Sequence, residues 1–209
     1  MTDQAAAAHE RSNDGGPKLD GAPLYLASAS PRRRKILEQL GVPFRVHVTG
    51  AEEIAHASDP GQTVRANALA KVRATRSLFP EAAIIAADTV IEFKGRCLGK
   101  PASLDDARRM LASLSGNAHT VWTGVALWAA GNTQAATIKV QATVVRFRRF
   151  QTRDVEAYIR EVNPLDKAGG YDIDQSGQMI IDSVAGSRTN VMGLPIEVVR
   201  PWLKQQSLL

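Results

Sequence analysis

A chain of 209 residues, 44% hydrophobic and 22% charged, is long enough for one sizeable core and has the composition of an ordinary globular protein. No apolar run approaches a membrane span and no secretory signal opens the chain, while a single cysteine, Cys97, excludes an internal disulfide framework and fits a reducing cytoplasm. The net charge of +5 favours an anionic partner, either a polymer or a small nucleotide.

Met1–Pro23 is rich in Ala, Gly, Asn and Asp without periodicity, which predicts a flexible tail ahead of one domain over 24–209. Leu24 to Ala27 reads as a short buried strand, followed by a turn of small residues and a helix. Ser30 is a good N-cap for that helix, and Pro31 falls at N1, where the missing N–H costs nothing. Ile36, Leu37 and Leu40 make the apolar stripe, and Arg32 and Arg33 share that inner face at the open first turn. Arg34 is placed to pair with Glu38 at i,i+4. Free N–H groups, the Ser28 and Ser30 hydroxyls and two guanidinium forks therefore converge on one spot, suited to phosphate or carboxylate. A capped helix with a solvated basic turn would use the same residues.

Phe44 to Val48 alternates like a second strand, with His47 on its polar face, and runs into a loop carrying Glu52 and Glu53. Adjacent carboxylates after a strand are either solvated or hold a hard metal ion. Asp59, Pro60 and Gln62 start a second helix, whose inner stripe includes Val64, Ala68, Val72 and Thr75. Lys71 projects on this apolar face, so it either snorkels outward or has a buried anionic partner.

Ala83 to Asp88 is continuously apolar up to its last residue, as for a parallel strand covered on both faces. Asp88 then stands at the strand's carboxyl end, where open α/β sheets place their chemistry, although a turn-capping aspartate would look the same. Val90 to Phe93 and Arg96 to Leu98 form a hairpin about Lys94-Gly95, which brings Lys100 near Asp88 if the hairpin is tight. A helix begins at Ser103 with the stripe Leu104, Ala107, Leu111 and Leu114. Two long strands follow, Thr120 to Ala129 and Thr133 to Phe147, with Trp122 and Trp128 as packing residues. Arg146, Arg148 and Arg149, interleaved with Phe147 and Phe150, could follow a nucleic-acid backbone, but read better as a solvated strand end. Thr152 is expected to cap a helix reaching Glu161. A Gly-rich loop carrying Lys167 comes next, then a short strand over Met179 to Asp182. The turn-rich segment Gly186 to Pro195 opens a last helix, and Ser187 or Asn190 within it could donate to a ligand.

Six pieces of this sequence, in order, resemble the Maf family of nucleotide pyrophosphatases. They are Ser28-Ala-Ser-Pro-Arg-Arg33, Glu52-Glu53, Ala87-Asp-Thr89, Gly99-Lys-Pro101, Lys167-Ala-Gly-Gly-Tyr171 and Asn190-Val-Met-Gly-Leu-Pro195, within a resemblance that covers Leu24 to Leu203. It implies an α/β, ITPase-like fold in which an elongated mixed sheet flanked by helices spans two lobes around a deep cleft. It implies hydrolysis of nucleoside triphosphates to monophosphate and pyrophosphate with Mg²⁺ or Mn²⁺, by a homodimer. The family's catalytic acid falls on Asp88, and its basic and acidic cleft positions fall on Arg33, Glu53, Lys71, Lys100 and Lys167. Glu53 and Asp88 would hold the metal ion. Members acting on dTTP and UTP carry Arg, Thr and Gln at three specificity positions. Arg32 and Thr89 match the first two, whereas the third aligns with Asp174, with Gln175 one residue later. The rival reading, from the charge and the arginine clusters, is a non-catalytic nucleic-acid-binding regulator.

Overall fold

The structure, a computed structural model, describes residues 22–54 and 59–209. The expected tail therefore lies outside the described residues, apart from Ala22 and Pro23. No helix among the described residues is long and apolar enough to cross a membrane.

One seven-stranded mixed sheet organises the chain. Its strands are β1 (Leu24–Leu26), β2 (Arg45–Val46), β3 (Ala83–Phe93), β4 (Arg96–Leu98), β5 (Ala118–Trp128), β6 (Thr137–Phe147) and β7 (Ile181–Ala185). The order is β2-β1-β3-β5-β6-β7, with β4 also on β3. β2, β1 and β3 run parallel, and every other pairing is antiparallel. The helices are α1 (Pro31–Gln39), α2 (Pro60–Leu78), α3 (Leu104–Leu114), α4 (Thr152–Glu161), the short α5 (Arg188–Val191) and α6 (Ile196–Gln205).

Side-chain alternation divides the core between the two faces of the sheet. Leu24, Leu26, Ile85, Ala87, Val121 and Val125 join the larger cluster with Ile36 and Leu37 of α1 and Val199 and Leu203 of α6. Tyr25, Ala27, Ile84, Ala86 and Ala126 face the other way, onto Ala68 and Val72 of α2. α2 lies close against β5 because Gly124 has no side chain: a Cβ there would stand 2.5 Å from the Val64 carbonyl oxygen. Gly124 is also the register partner of Asp88, so this close approach sets the depth of α2 at the level of that carboxylate.

Several boundaries differ from expectation. β3 does not end at Asp88: antiparallel pairing with β5 carries it on through Glu92, opposite Thr120. Nor is it a wholly parallel strand, since only its β1 side is parallel. The edge of β3 that faces β1 is instead interrupted. β1 pairs with it only as far as Ile85, and β4 takes up the same edge again at Ile91. Asp88 sits in the middle of that gap, which leaves a notch in the sheet between β1 and β4.

β2 is reduced to Arg45–Val46, and β6 starts at Thr137 because residues 129–136 form the connecting loop. Leu104 is exposed at the first turn of α3, leaving Ala107, Leu111 and Leu114 as its buried stripe. The cap of α4 is Gln151, whose backbone N–H bonds to Asp154 at 2.7 Å, and Thr152 is already helical. Met179 belongs to a 3₁₀ turn, so β7 begins at Ile181.

Candidate active site

The notch opens into a cleft of about 530 Å³. Its lining includes Ser28, Ser30, Arg32, Arg33, Glu53, Lys71, Asp88, Thr89, Lys100 and Lys167, residues drawn from six separate segments. All the expected site residues except Asp174 are thus brought together. The lining further includes Asp166, Tyr171, Asp172 and Gln175.

Asp88 and Thr89 are consecutive on β3 and point to opposite faces of the sheet, so each meets a different helix. On the α2 side, Asp88 is buried and accepts from Lys71 Nζ at 2.9 Å through Oδ1 and from Asn67 Nδ2 at 2.9 Å through Oδ2. Lys71 does not snorkel. Its ammonium lies between Asp88 and Glu53 Oε1, the latter 2.7 Å away, with the Ala87 carbonyl at 3.4 Å. A buried lysine needs such partners, because an unpaired charge in the interior is costly.

On the α1 side, Arg33 is buried and its guanidinium is divided among three acceptors. Nε donates to the Gly193 carbonyl at 2.9 Å, Nη1 to Ser28 Oγ at 3.1 Å and Nη2 to Thr89 Oγ1 at 3.0 Å. Burial lowers its pKa, and the nearby Asp88 charge acts in the opposite direction. The Thr123 hydroxyl donates to the Asn190 carbonyl and stands 3.0 Å from Thr89 Oγ1, which leaves Thr89 to donate to Thr123. The relay Arg33–Thr89–Thr123–Asn190 ties α1 across the sheet to α5, just ahead of the loop before α6. Gly193 in that loop has φ of +98°, and a Cβ there would press within 3.1 Å of both Arg33 Nε and Thr89 Oγ1. Ser30 caps α1 with a long bond of 3.5 Å from Arg33 N, and the expected Arg34–Glu38 pair forms at 2.8 Å.

Ser187 and Asn190 do not reach the cleft as ligand donors. Asn190 is fully buried, with Nδ2 bonded to the Val121 carbonyl and Thr143 Oγ1, and Ser187 caps α5. Both secure the loop that presents Gly193.

The remaining cations differ in how much charge they have free. Lys167 is buried and bonded to Asp166 at 2.7 Å and the Asn163 carbonyl at 3.0 Å. Among the described residues, Arg32 makes only a long 3.4 Å pair with the buried Asp172. Lys100 has no hydrogen bond or ion pair among the described residues, yet the Gly169 N–H holds the Gly99 carbonyl at 3.0 Å and fixes its segment beside the Lys167 loop. These basic groups surround the Asp88–Lys71–Glu53 cluster, an arrangement able to seat a polyphosphate against an oriented carboxylate.

Asp174 turns away from the cleft. Its carboxylate takes Arg188 at 3.0 and 3.2 Å and lies 3.8 Å from Lys35, and its neighbour Gln175 lines the cleft instead. Asp172 Oδ1 accepts from the Asp174 and Gln175 N–H groups, a local turn that sets which side chain faces inward. Sequence reasoning missed Asn67 and Asp172. Asn67 stands four residues before Lys71 on the otherwise apolar face of α2, and that polar i,i+4 pair was the available signal.

Two carboxylates converge on Lys71, the hard oxygen donors that Mg²⁺ takes in ones or twos alongside phosphate oxygens. No group of three or more His, Cys, Asp or Glu side chains able to hold a metal ion occurs among the described residues, so a cation on these two carboxylates would complete its shell with water or phosphate oxygens.

Residues 23–206 match the family described as "Maf-like protein". The chain is 42% identical over 181 residues to a dTTP/UTP pyrophosphatase of Moorella thermoacetica, covering 86% of this chain and 93% of that one. A dTTP/UTP pyrophosphatase of Akkermansia muciniphila is 40% identical over 178 residues, covering 85% and 93%. Among solved structures, the Ham1 protein of Staphylococcus aureus shares the fold with a TM-score of 0.51 at 16% identity, covering 88% of this chain and 99% of that one.

Proposed function

This chain belongs to the Maf-like family, and on that footing we propose that it hydrolyses dTTP and UTP to the nucleoside monophosphate and pyrophosphate. The observation that carries the reading is the buried Asp88 in the notch of the sheet, aimed by Lys71 and Asn67 and surrounded by cleft cations. Arg33 and the Ser28–Ser30 turn take the phosphates on one side, while Lys100 and Lys167 take them on the other. Asp88 keeps a free lone pair on each oxygen, with which it orients or deprotonates a water for in-line attack on the α-phosphorus. The new bond joins the water oxygen to the α-phosphorus, and the bond to the bridging oxygen breaks as pyrophosphate leaves. The cationic ring stabilises the charge that develops on the departing oxygens.

Mg²⁺ or Mn²⁺, if held by the oxygens of Glu53 and Asp88 that Lys71 leaves free, would neutralise phosphate charge. For the base, Arg32, Thr89 and Gln175 supply the Arg, Thr and Gln set of dTTP- and UTP-acting members, with Gln175 in place of Asp174. Residues 24–209 act as one domain, and the working form is a cytoplasmic homodimer.

The test is incubation with Mg²⁺ or Mn²⁺ and a panel of dTTP, UTP, CTP and 7-methyl-GTP, scored for monophosphate and pyrophosphate. Turnover led by dTTP or UTP is expected. Turnover led by another base would overturn the specificity assignment, and no turnover above an Asp88→Asn control would overturn the enzyme reading.

A further inference from the structure

We propose that Asn67 is a positioning residue that fixes the aim and separation of the Asp88 and Glu53 carboxylates, an inference that rests on the hydrolase reading above. Asn67 is buried and absent from the cleft lining, so it acts only through its neighbours. Its carboxamide has two N–H donors and one carbonyl, and the structure engages all three functions. Nδ2 donates to Asp88 Oδ2 at 2.9 Å and to the Ile54 carbonyl at 2.9 Å, while Oδ1 accepts from the Ile54 N–H at 2.9 Å. This orientation is dictated by chemistry, because a flipped amide would set its carbonyl against a carboxylate and its N–H group against the Ile54 N–H.

The two halves of this clamp do different work. Donation to Oδ2 holds the Asp88 carboxylate from one side while Lys71 holds Oδ1 from the other, which leaves its plane no freedom to turn. The paired bonds to Ile54 hold the segment that carries Glu53. Burial does not hold that segment, since Ile54 is 48% exposed and the Glu53 side chain 60% exposed. Asn67 and Lys71 lie one turn apart on the same face of α2, so a single helix sets both carboxylates against each other.

Asn67→Ala and the isosteric Asn67→Asp separate these roles. Aspartate keeps an acceptor for the Ile54 N–H but loses both donors and places a carboxylate against Asp88. Steady-state kinetics with UTP are expected to show kcat reduced by about 100-fold in both variants, the size of effect that misplacing a reacting group by about 1 Å produces. KM is expected to change by less than about threefold, because none of the direct partners of Arg33, Lys100 or Lys167 is lost. Amide hydrogen exchange should show faster exchange at Ile54 in Asn67→Ala than in Asn67→Asp. If Asn67→Asp retains near-normal kcat, or if kcat is preserved and only thermal stability falls, Asn67 is structural and the proposal is wrong. Absence of turnover in the parent protein would instead sink the hydrolase reading, and the exchange at Ile54 would still report whether the clamp exists.

Discussion

Asp88 is held by two partners of different kinds, and the consequences of removing each function are separable. Asp88→Asn keeps the shape and loses the charge and the basic oxygen, so kcat should fall by roughly 10²–10⁴-fold with the fold retained, as measured by turnover and circular dichroism. Lys71→Met leaves Asp88 buried without its cation. Unfolding in urea should show a loss of about 3–5 kcal/mol, the range for breaking one side of a buried pair. A third buried group gives a pH signature. His119 is enclosed by Phe147 and Tyr171, its Nε2 is 2.8 Å from the Tyr171 hydroxyl, and burial lowers its pKa from 6.5 to about 4. The unfolded chain therefore binds a proton that the folded chain refuses, and stability is lost as pH falls from about 6.5 towards 4. That window is worth about 3 kcal/mol at the usual conversion per pKa unit. Melting temperatures of the wild type should decline across it, and those of His119→Leu should decline less.

The elements that carry these residues were legible to different degrees. The helix that starts at Asp59-Pro60 and the proline-started α1 follow from capping chemistry local to the sequence, and Lys71 and the two arginines were placed by helical spacing alone. The long span of β3 was not legible, because its apolar half and its mixed half, Asp88 to Phe93, belong to one strand only through pairing with β5. The Gln151 cap was missed because Thr152 offers the commoner capping side chain, while the Asp154 carboxylate that completes the box decides the register. Whether Asp174 or Gln175 faces the cleft depends on Asp172, whose role appears only once its carboxylate folds back on the next two N–H groups. Helix α2 and strand β5 make a direct prediction. Gly124→Ala would push a methyl group into the Val64 carbonyl and displace α2, with it Asn67 and Lys71. We expect a destabilisation of about 1–3 kcal/mol, the usual cost of overpacking, together with a fall in kcat.

The site as a whole exists only because distant segments meet where β1 has stopped and β4 has not begun. Sequence order carried the pieces and the resemblance joined them, but no local pattern shows the gap in an edge that lets residues from both faces of a sheet share one cleft. The net positive charge is put to use there, beside carboxylates that no plain polyanion-binding surface would need. Nucleotide binding should therefore be separable from turnover. UTP with Mg²⁺ at about 100 times its Kd should stabilise the Asp88→Asn protein by about 2.7 kcal/mol, read as a raised melting temperature. A short oligonucleotide at equal phosphate concentration should not.

The most direct test of the proposed chemistry is hydrolysis of UTP in ¹⁸O-labelled water, with mass spectrometry of both products. Attack on the α-phosphorus by a water held at Asp88 predicts all of the label in UMP and none in pyrophosphate. Label in the pyrophosphate would mean attack on the β-phosphorus, and would contradict the geometry proposed for the cleft.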